Sequence, residues 1–226
     1  MMGLLIEAMW RIFPSGDQSV LELRAIWPKG VPGSKPIAIR HFRAAELGGC
    51  ELCRKAFQDE ALSLNAAGFN VYIVMNPIRQ DFEGGDGAAA KDQDIAYRDL
   101  LLIDIDRAQK ADEPASNEEL EAARRLGLDI ERFLANRDWP EPTWLMSGNG
   151  YHLYFILSDC ENSKENSTLI QRVLKGLARR FDNEAVKVDT TVYNASRITK
   201  VPGTLMRKGI ESDGRPYRIA KVCDEE

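Results

Sequence analysis

Apolar and polar positions alternate from Val20 to Trp27 and again from Ile37 to Phe42. The spacing predicts two strands on either side of a Pro- and Gly-rich turn, Pro28 to Pro36. Glu51 to Ala67 carries helical spacing. Asn70 to Asn76 reads as a buried strand stopped by Pro77, and a glycine-rich loop from Asp81 to Gly87 follows. In Tyr97 to Arg107 four large aliphatic residues, Leu100 to Ile103, run into Asp-Ile-Asp, as in a buried strand whose last residues carry charge out of a core. A helix is predicted over Asn117 to Asn136. Ser116 and Glu119 form a capping box at its start, and Pro140 and Pro142 lie past its end. Thr143 to Ser147 and Tyr151 to Leu157 are two strands joined by the tight turn Gly148-Asn149-Gly150. A helix over about Ser167 to Phe181 and a strand over Ala185 to Thr190 complete the pattern.

Three places in this pattern carry candidate chemistry. Side chains alternate along a strand, so Asp104 and Asp106 share one face while Ile103 and Ile105 take the other. Two such carboxylates about 6 to 7 Å apart at their backbones repel each other unless a cation or a shared proton relieves them. With a third acid they match a site for two divalent ions. Asp189, at the end of Val186-Lys187-Val188, repeats this arrangement. In Ser147-Gly148-Asn149-Gly150-Tyr151-His152 the glycines free backbone N–H groups to approach an anion. His152 projects from the face opposite Tyr151 and Leu153. Taken singly, each feature equally suits a bland role: a strand ending at a solvated turn, a plain hairpin, a turn-forming aspartate.

Charge changes the picture. The net charge is −5, yet Ser196 to Lys221 holds seven Lys/Arg against two acids, which leaves −10 for the rest. A basic segment on an acidic body predicts local handling of a polyanion, with Arg197 and Lys208 as phosphate ligands. Composition is that of a soluble globular chain, and no apolar run approaches the roughly 20 residues of a membrane span. Met1 to Trp10 lacks the marks of a signal peptide. Four cysteines imply no disulfide framework and a reducing, cytoplasmic setting. Cys50-Glu-Leu-Cys53 has no second pair at zinc-binding spacing, so no zinc is expected. The acids Asp81, Glu83 and Asp86 read as a solvated loop, and the four tryptophans as core.

The order hhhDID, SGNGYH, KVD, NASRI, PGT and RKG resembles the catalytic core of the archaeo-eukaryotic primase superfamily, in particular the primase-polymerases of plasmids, phages and mobile elements. The resemblance covers about residues 70 to 210. It places Asp104 and Asp106 in the first motif, Ser147 and His152 in the second and Asp189 in the third, with Arg197 and Lys208 on the incoming triphosphate. Four residues separate Ser147 from His152, wider than the family's SxH spacing. What the resemblance implies is an α/β (α+β) fold: an RRM-like antiparallel sheet with helices on one face (residues 96–226) and a smaller N-terminal α/β module (1–95), together forming one core around a cleft. It implies template-dependent nucleotidyl transfer with two Mg²⁺ or Mn²⁺ ions, nucleoside triphosphates as substrates, and single-stranded DNA template and primer as partners. A helicase elsewhere in a longer chain is a further expectation, and no membrane partner is expected. A metal-dependent nuclease, a nucleotidyl cyclase and a non-catalytic single-strand binder are the rival classes.

Overall fold

The computed structural model describes residues 2–84, 87–109 and 112–223, apart from the side chains of residues 2–4 and Asp159; Asp86 of the loop acids lies outside the described residues. Helix α1 (Met2–Glu7) runs into a 3₁₀ turn (Ala8–Arg11). Strands β1 (Val20–Ile26) and β2 (Ala38–Arg43) follow, then a short helix α2 (Ala44–Leu47), helix α3 (Cys50–Ala66) and strand β3 (Asn70–Val74). A second 3₁₀ turn (Asp92–Asp94) leads into β4 (Tyr97–Arg107), then helix α4 (Asn117–Ala135), β5 (Thr143–Met146), β6 (Tyr151–Glu161) and helix α5 (Lys164–Phe181). The short strands β7 (Val186–Val188), β8 (Ile198–Lys200), β9 (Leu205–Met206), β10 (Arg218–Ile219) and β11 (Lys221–Cys223) close the chain.

The larger sheet has the order β11-β5-β6-β4-β7, every pair antiparallel. Its interior strand β4, between β6 and β7, is apolar from Leu100 to Ile103, because both faces are covered there. Helix α4 lies across β4, β6 and β7, and α5 lies against β7, so the helices occupy one face. The capping box forms as predicted: Ser116 Oγ accepts from Glu119 N at 3.2 Å, and Ser116 N donates to Glu119 Oε2 at 2.9 Å. Gly127 lets α4 approach the sheet, since a Cβ there would run into the Trp144 ring. α5 starts at Lys164, three residues before the predicted Ser167, because Ser163 caps it by accepting from Asn166 N at 3.1 Å.

The smaller sheet has the order β2-β1-β3-β8, again antiparallel, with α3 packed across β1, β2 and β3. Its fourth strand comes from the far end of the chain. The division expected at residue 95 therefore separates the two sheets only in part: Ile198–Lys200 pairs with Tyr72–Val74. One hydrophobic core runs through both modules, from Leu23, Phe57 and Val71 to Ile103, Leu153 and Leu174. The two sheets are joined further by α1, which seats on the Gly203 turn, where a Cβ would come within 2.7 Å of Ile6 N.

Candidate active site

Strand register builds the acidic side of a cleft of about 410 Å³ between the two sheets. Asp104 is paired across β4/β6 with His152, and its carbonyl accepts a hydrogen bond from Asp189 N at 2.8 Å on the β7 side. Asp104, His152 and Asp189 thus sit side by side on neighbouring strands and, with Asp106 two residues on, line one cleft. His152 is buried. Its Nε2 lies 3.3 Å from Asp104 Oδ1, while its Nδ1 meets Tyr154 Oη at 3.0 Å and Thr199 Oγ1 at 3.2 Å. Because Thr199 is on β8, this network ties the two sheets together behind the acids.

Electrostatics follow from crowding. Burial, then the neighbouring Asp104 carboxylate, push Asp106 up to about 7, against the pull of His152 and Lys208. Burial opposes the charged form of His152, but Asp104 and Asp106 outweigh it and raise the imidazole above its ordinary value. Asp189 is turned toward its own chain: Oδ1 accepts from Thr191 N at 2.8 Å and from Thr191 Oγ1 at 2.7 Å. Accordingly, among the described residues no three His, Cys, Asp or Glu side chains stand together as a ready-made metal cluster. The oxygen donors are nonetheless of the type Mg²⁺ or Mn²⁺ takes, and Mg²⁺ is commonly held by one or two carboxylates plus substrate phosphates rather than by an all-protein cage.

Opposite the acids the cleft is basic. Arg197, Lys200, Arg207 and Lys208 all line it. Arg197 donates from one terminal nitrogen to Thr191 O at 2.6 Å, while its buried Nε has no partner among the described residues. Lys200 is only 2% exposed; its Nζ has a single long contact, 3.5 Å to Leu205 O, and sits 5.4 Å from the centre of the Tyr72 ring. Burial, helped by Arg207, lowers Lys200 to about 7. Burial also lowers Lys208, with Asp106 pulling the other way. The segment carrying Arg207 and Lys208 is strapped by two buried asparagines that imitate backbone pairing. Asn65 donates to Leu205 O (2.9 Å) and accepts from Leu205 N (2.8 Å), and Asn70 makes the equivalent pair with Arg207 at 2.8 Å each.

Of the residues expected from sequence, Asp104, Asp106, Asp189, Ser147, Asn149, His152, Arg197 and Lys208 meet in this one cleft. The glycine hairpin behaves differently from expectation. Ser147 N and Oγ both donate to Gly150 O, at 3.0 and 3.1 Å, Gly148 N points at Met146 Sδ, and Asn149 Oδ1 accepts from Ala115 N at 2.8 Å. The Ser147 and Gly148 amides are thus engaged within the hairpin. The glycines are there for space: a Cβ on Gly150 would overlap Ile105 O and lie 2.6 Å from Asp106 Oδ1, and one on Gly148 (φ 108°) would press on Met206. Of the basic segment, Arg215 and Arg218 are spent elsewhere, Arg215 on Glu119 (2.8 Å) and Arg218 on Ala115 O and Asn117. Lys200, Tyr72 and the two asparagines are the residues that sequence reasoning missed. Two asparagines bracketing a strand, Asn70 and Asn76, were the available signal, and Asn76 proves to clamp Asp99 N, Leu100 N and Ala195 O. Cys53 is a buried residue of α3 itself, Cys50 Sγ donates to Ser15 O, and His41 pairs with Glu22.

No protein-family model matches the chain, and no curated protein matches it by sequence. Solved structures do match. The archaeo-eukaryotic primase domain of the cyanophage S-2L primase-polymerase aligns with a TM-score of 0.54 at 19% identity, over 98% of this chain and 89% of its own. Primase RepB′ aligns at 0.51 and 14% identity, over 99% of this chain and 56% of its own. The polymerase domain of Mycobacterium tuberculosis ligase D, solved in complex with DNA, aligns at 0.51 and 15%, over 92% and 78%. The fold is that of the archaeo-eukaryotic primase-polymerases, with the mixed, antiparallel α+β architecture expected.

Proposed function

We propose that this protein is a primase-polymerase: a nucleotidyltransferase that joins nucleoside triphosphates into a strand on a single-stranded DNA template, extending a primer or starting one. The observation that carries the reading is the division of a single cleft into an acidic wall, Asp104, Asp106 and Asp189, and a basic wall, Arg197, Lys200, Arg207 and Lys208. Joining a hydroxyl to a triphosphate asks for both: carboxylates where a proton leaves and cations bind, and fixed positive charge where phosphate charge accumulates. Supporting it at the level of the fold are structural neighbours described as primases and polymerases.

Asp104, Asp106 and Asp189 would hold the Mg²⁺ or Mn²⁺ pair, which when bound supplies Lewis acidity at the phosphates and at the attacking hydroxyl. Asp189 joins by releasing Thr191. His152 fixes Asp104 by engaging one carboxylate oxygen. Arg197 lines the cleft with one end of its guanidinium held by Thr191 O, which restrains it where a phosphate would bind. Lys208 adds point charge in the same cleft. Ser147 borders this space, and Gly148, Asn149 and Gly150 shape it by packing. Template and primer are polyanions, so their binding weakens steeply with salt.

The test is nucleotide incorporation on primed and unprimed single-stranded templates, with ribo- and deoxynucleotides supplied separately in Mg²⁺ or Mn²⁺. The parent is expected to extend, and Asp104→Asn to lose about 10²–10³ in rate while still binding template, the cost typical of removing one preorganised charge at a reacting centre. A parent inert on both templates, or an Asp104→Asn variant at parental rate, overturns the reading. Cleavage of labelled DNA without triphosphates would select a nuclease instead.

A further inference from the structure

The two helices that cover the outer face of the larger sheet have differently built solvent sides. On α4 the exposed arginines are neutralised within the helix: Arg124 and Arg125 each approach Glu121 at 2.9 Å, and Arg132 approaches Asp129 at 3.3 Å. On α5, Arg172, Lys175 and Arg179 are exposed at i, i+3 and i+7. They share one face, about 10.5 Å long from first to last. Among the described residues none of the three has a hydrogen-bond or ion-pair partner. The helix contains a single acid, Glu165, in its first turn, where it complements the dipole.

Each helix also has an interior glycine, and only one is explained by packing. Gly127 of α4 is required by Trp144, whereas a Cβ on Gly176 of α5 would meet nothing within 4 Å. A glycine inside a helix is destabilising relative to alanine. Gly176 stands on the basic face, one turn after Arg172 and between Lys175 and Arg179. Its effect is to leave a bare stretch of helix backbone in the middle of three unpaired cations.

We propose that this face of α5, formed by Arg172, Lys175, Gly176 and Arg179, is a second nucleic-acid contact, holding the sugar-phosphate backbone of a strand outside the cleft without reading its bases. The proposal rests on the reading of the cleft as a DNA-handling site. Charge complementarity favours phosphate: on a chain of net charge −5, a short stripe of uncompensated cations is where a polyanion is drawn in, and the missing side chain at Gly176 admits its backbone closely. The path is short. β7 is the edge of the sheet; it leads directly into Asp189 at the cleft, carries Lys187 across from Asp106, and packs on α5 from the other side.

The test compares the full chain with an Arg172→Ala/Lys175→Ala/Arg179→Ala variant, binding a single-stranded oligonucleotide of about 30 nucleotides at several salt concentrations. Affinity is expected to fall about tenfold or more, and the slope of log K against log salt to shrink by about 2, since each neutralised phosphate of a single strand contributes about 0.7. Incorporation on a template too short to leave the cleft stays parental. Gly176→Ala, which keeps every charge, is expected to raise Tm while weakening binding of the long oligonucleotide severalfold. Parental affinity and slope in the triple variant, with the parent binding DNA, overturn the stripe alone; a parent that binds no DNA removes the reading of the cleft with it. Poly-glutamate displacing the long oligonucleotide as well as DNA of equal charge would overturn phosphate recognition.

Discussion

The acidic and basic walls of the cleft hold their charges in place by different means. On the acidic wall, Asp104 and Asp106 ride on β4, His152 on β6, and Asp189 follows β7, so their spacing is inherited from ladder register. The basic wall is a composite of β8 and the strapped segment around Arg207, fixed by side chain to main chain bonds from Asn65 and Asn70. One wall is as rigid as its sheet, while the other depends on a few buried amides. The acidic wall should therefore fail through sterics and the basic wall through lost hydrogen bonds.

Gly150→Val should break the acidic wall most severely. The new side chain has to displace Ile105 O and the Asp106 carboxylate, a cost of about 3 kcal/mol, at the upper end of overpacking, together with loss of most incorporation activity. Denaturant midpoints and single-turnover rates measure the two parts. Asn70→Ala should act on the basic wall alone. It leaves both main-chain groups of Arg207 unpaired, costing about 2 kcal/mol, and the loosened Arg207–Lys208 segment should raise KM for nucleotide several-fold with kcat largely kept. A kcat loss as large as the KM change would mean that the two walls move together.

The smallest expected effect is a change in slope. Buried Lys200 falls to about 7 in the folded protein from 10.5, so between these values the unfolded chain keeps a proton that the folded chain has shed. Stability should therefore rise with pH across that window, and Lys200→Met should flatten the rise. Thermal unfolding from pH 7 to 10 reads it directly, and an unchanged slope in the variant would place the titration elsewhere.

How much of this was legible in the sequence follows the same division. The long elements declare themselves: β4 matches its expected range residue for residue, and α4 is announced by Ser116 and Glu119. The acids were readable because strand alternation fixes side-chain direction before any tertiary contact forms. The basic wall was not. β8 to β11 are two or three residues each, too short for a period to register, and the pairing of Ile198–Lys200 with β3 is decided by tertiary packing. Lys200 thus looked like one more surface cation. The glycines around Asn149 were legible as a tight turn, but the room they leave for Asp106 and Met206 is something composition does not reveal.

The strand exchange bears on the order in which the molecule comes into being. A nascent chain emerging from the ribosome presents β1, β2 and β3 early, yet β3 lacks its outer neighbour until residues 198–200 have been made. Until then that edge stands open, a liability for pairing with other chains. Thr199 arrives on the same late strand, so the clasp behind His152 closes in the step that seals the edge.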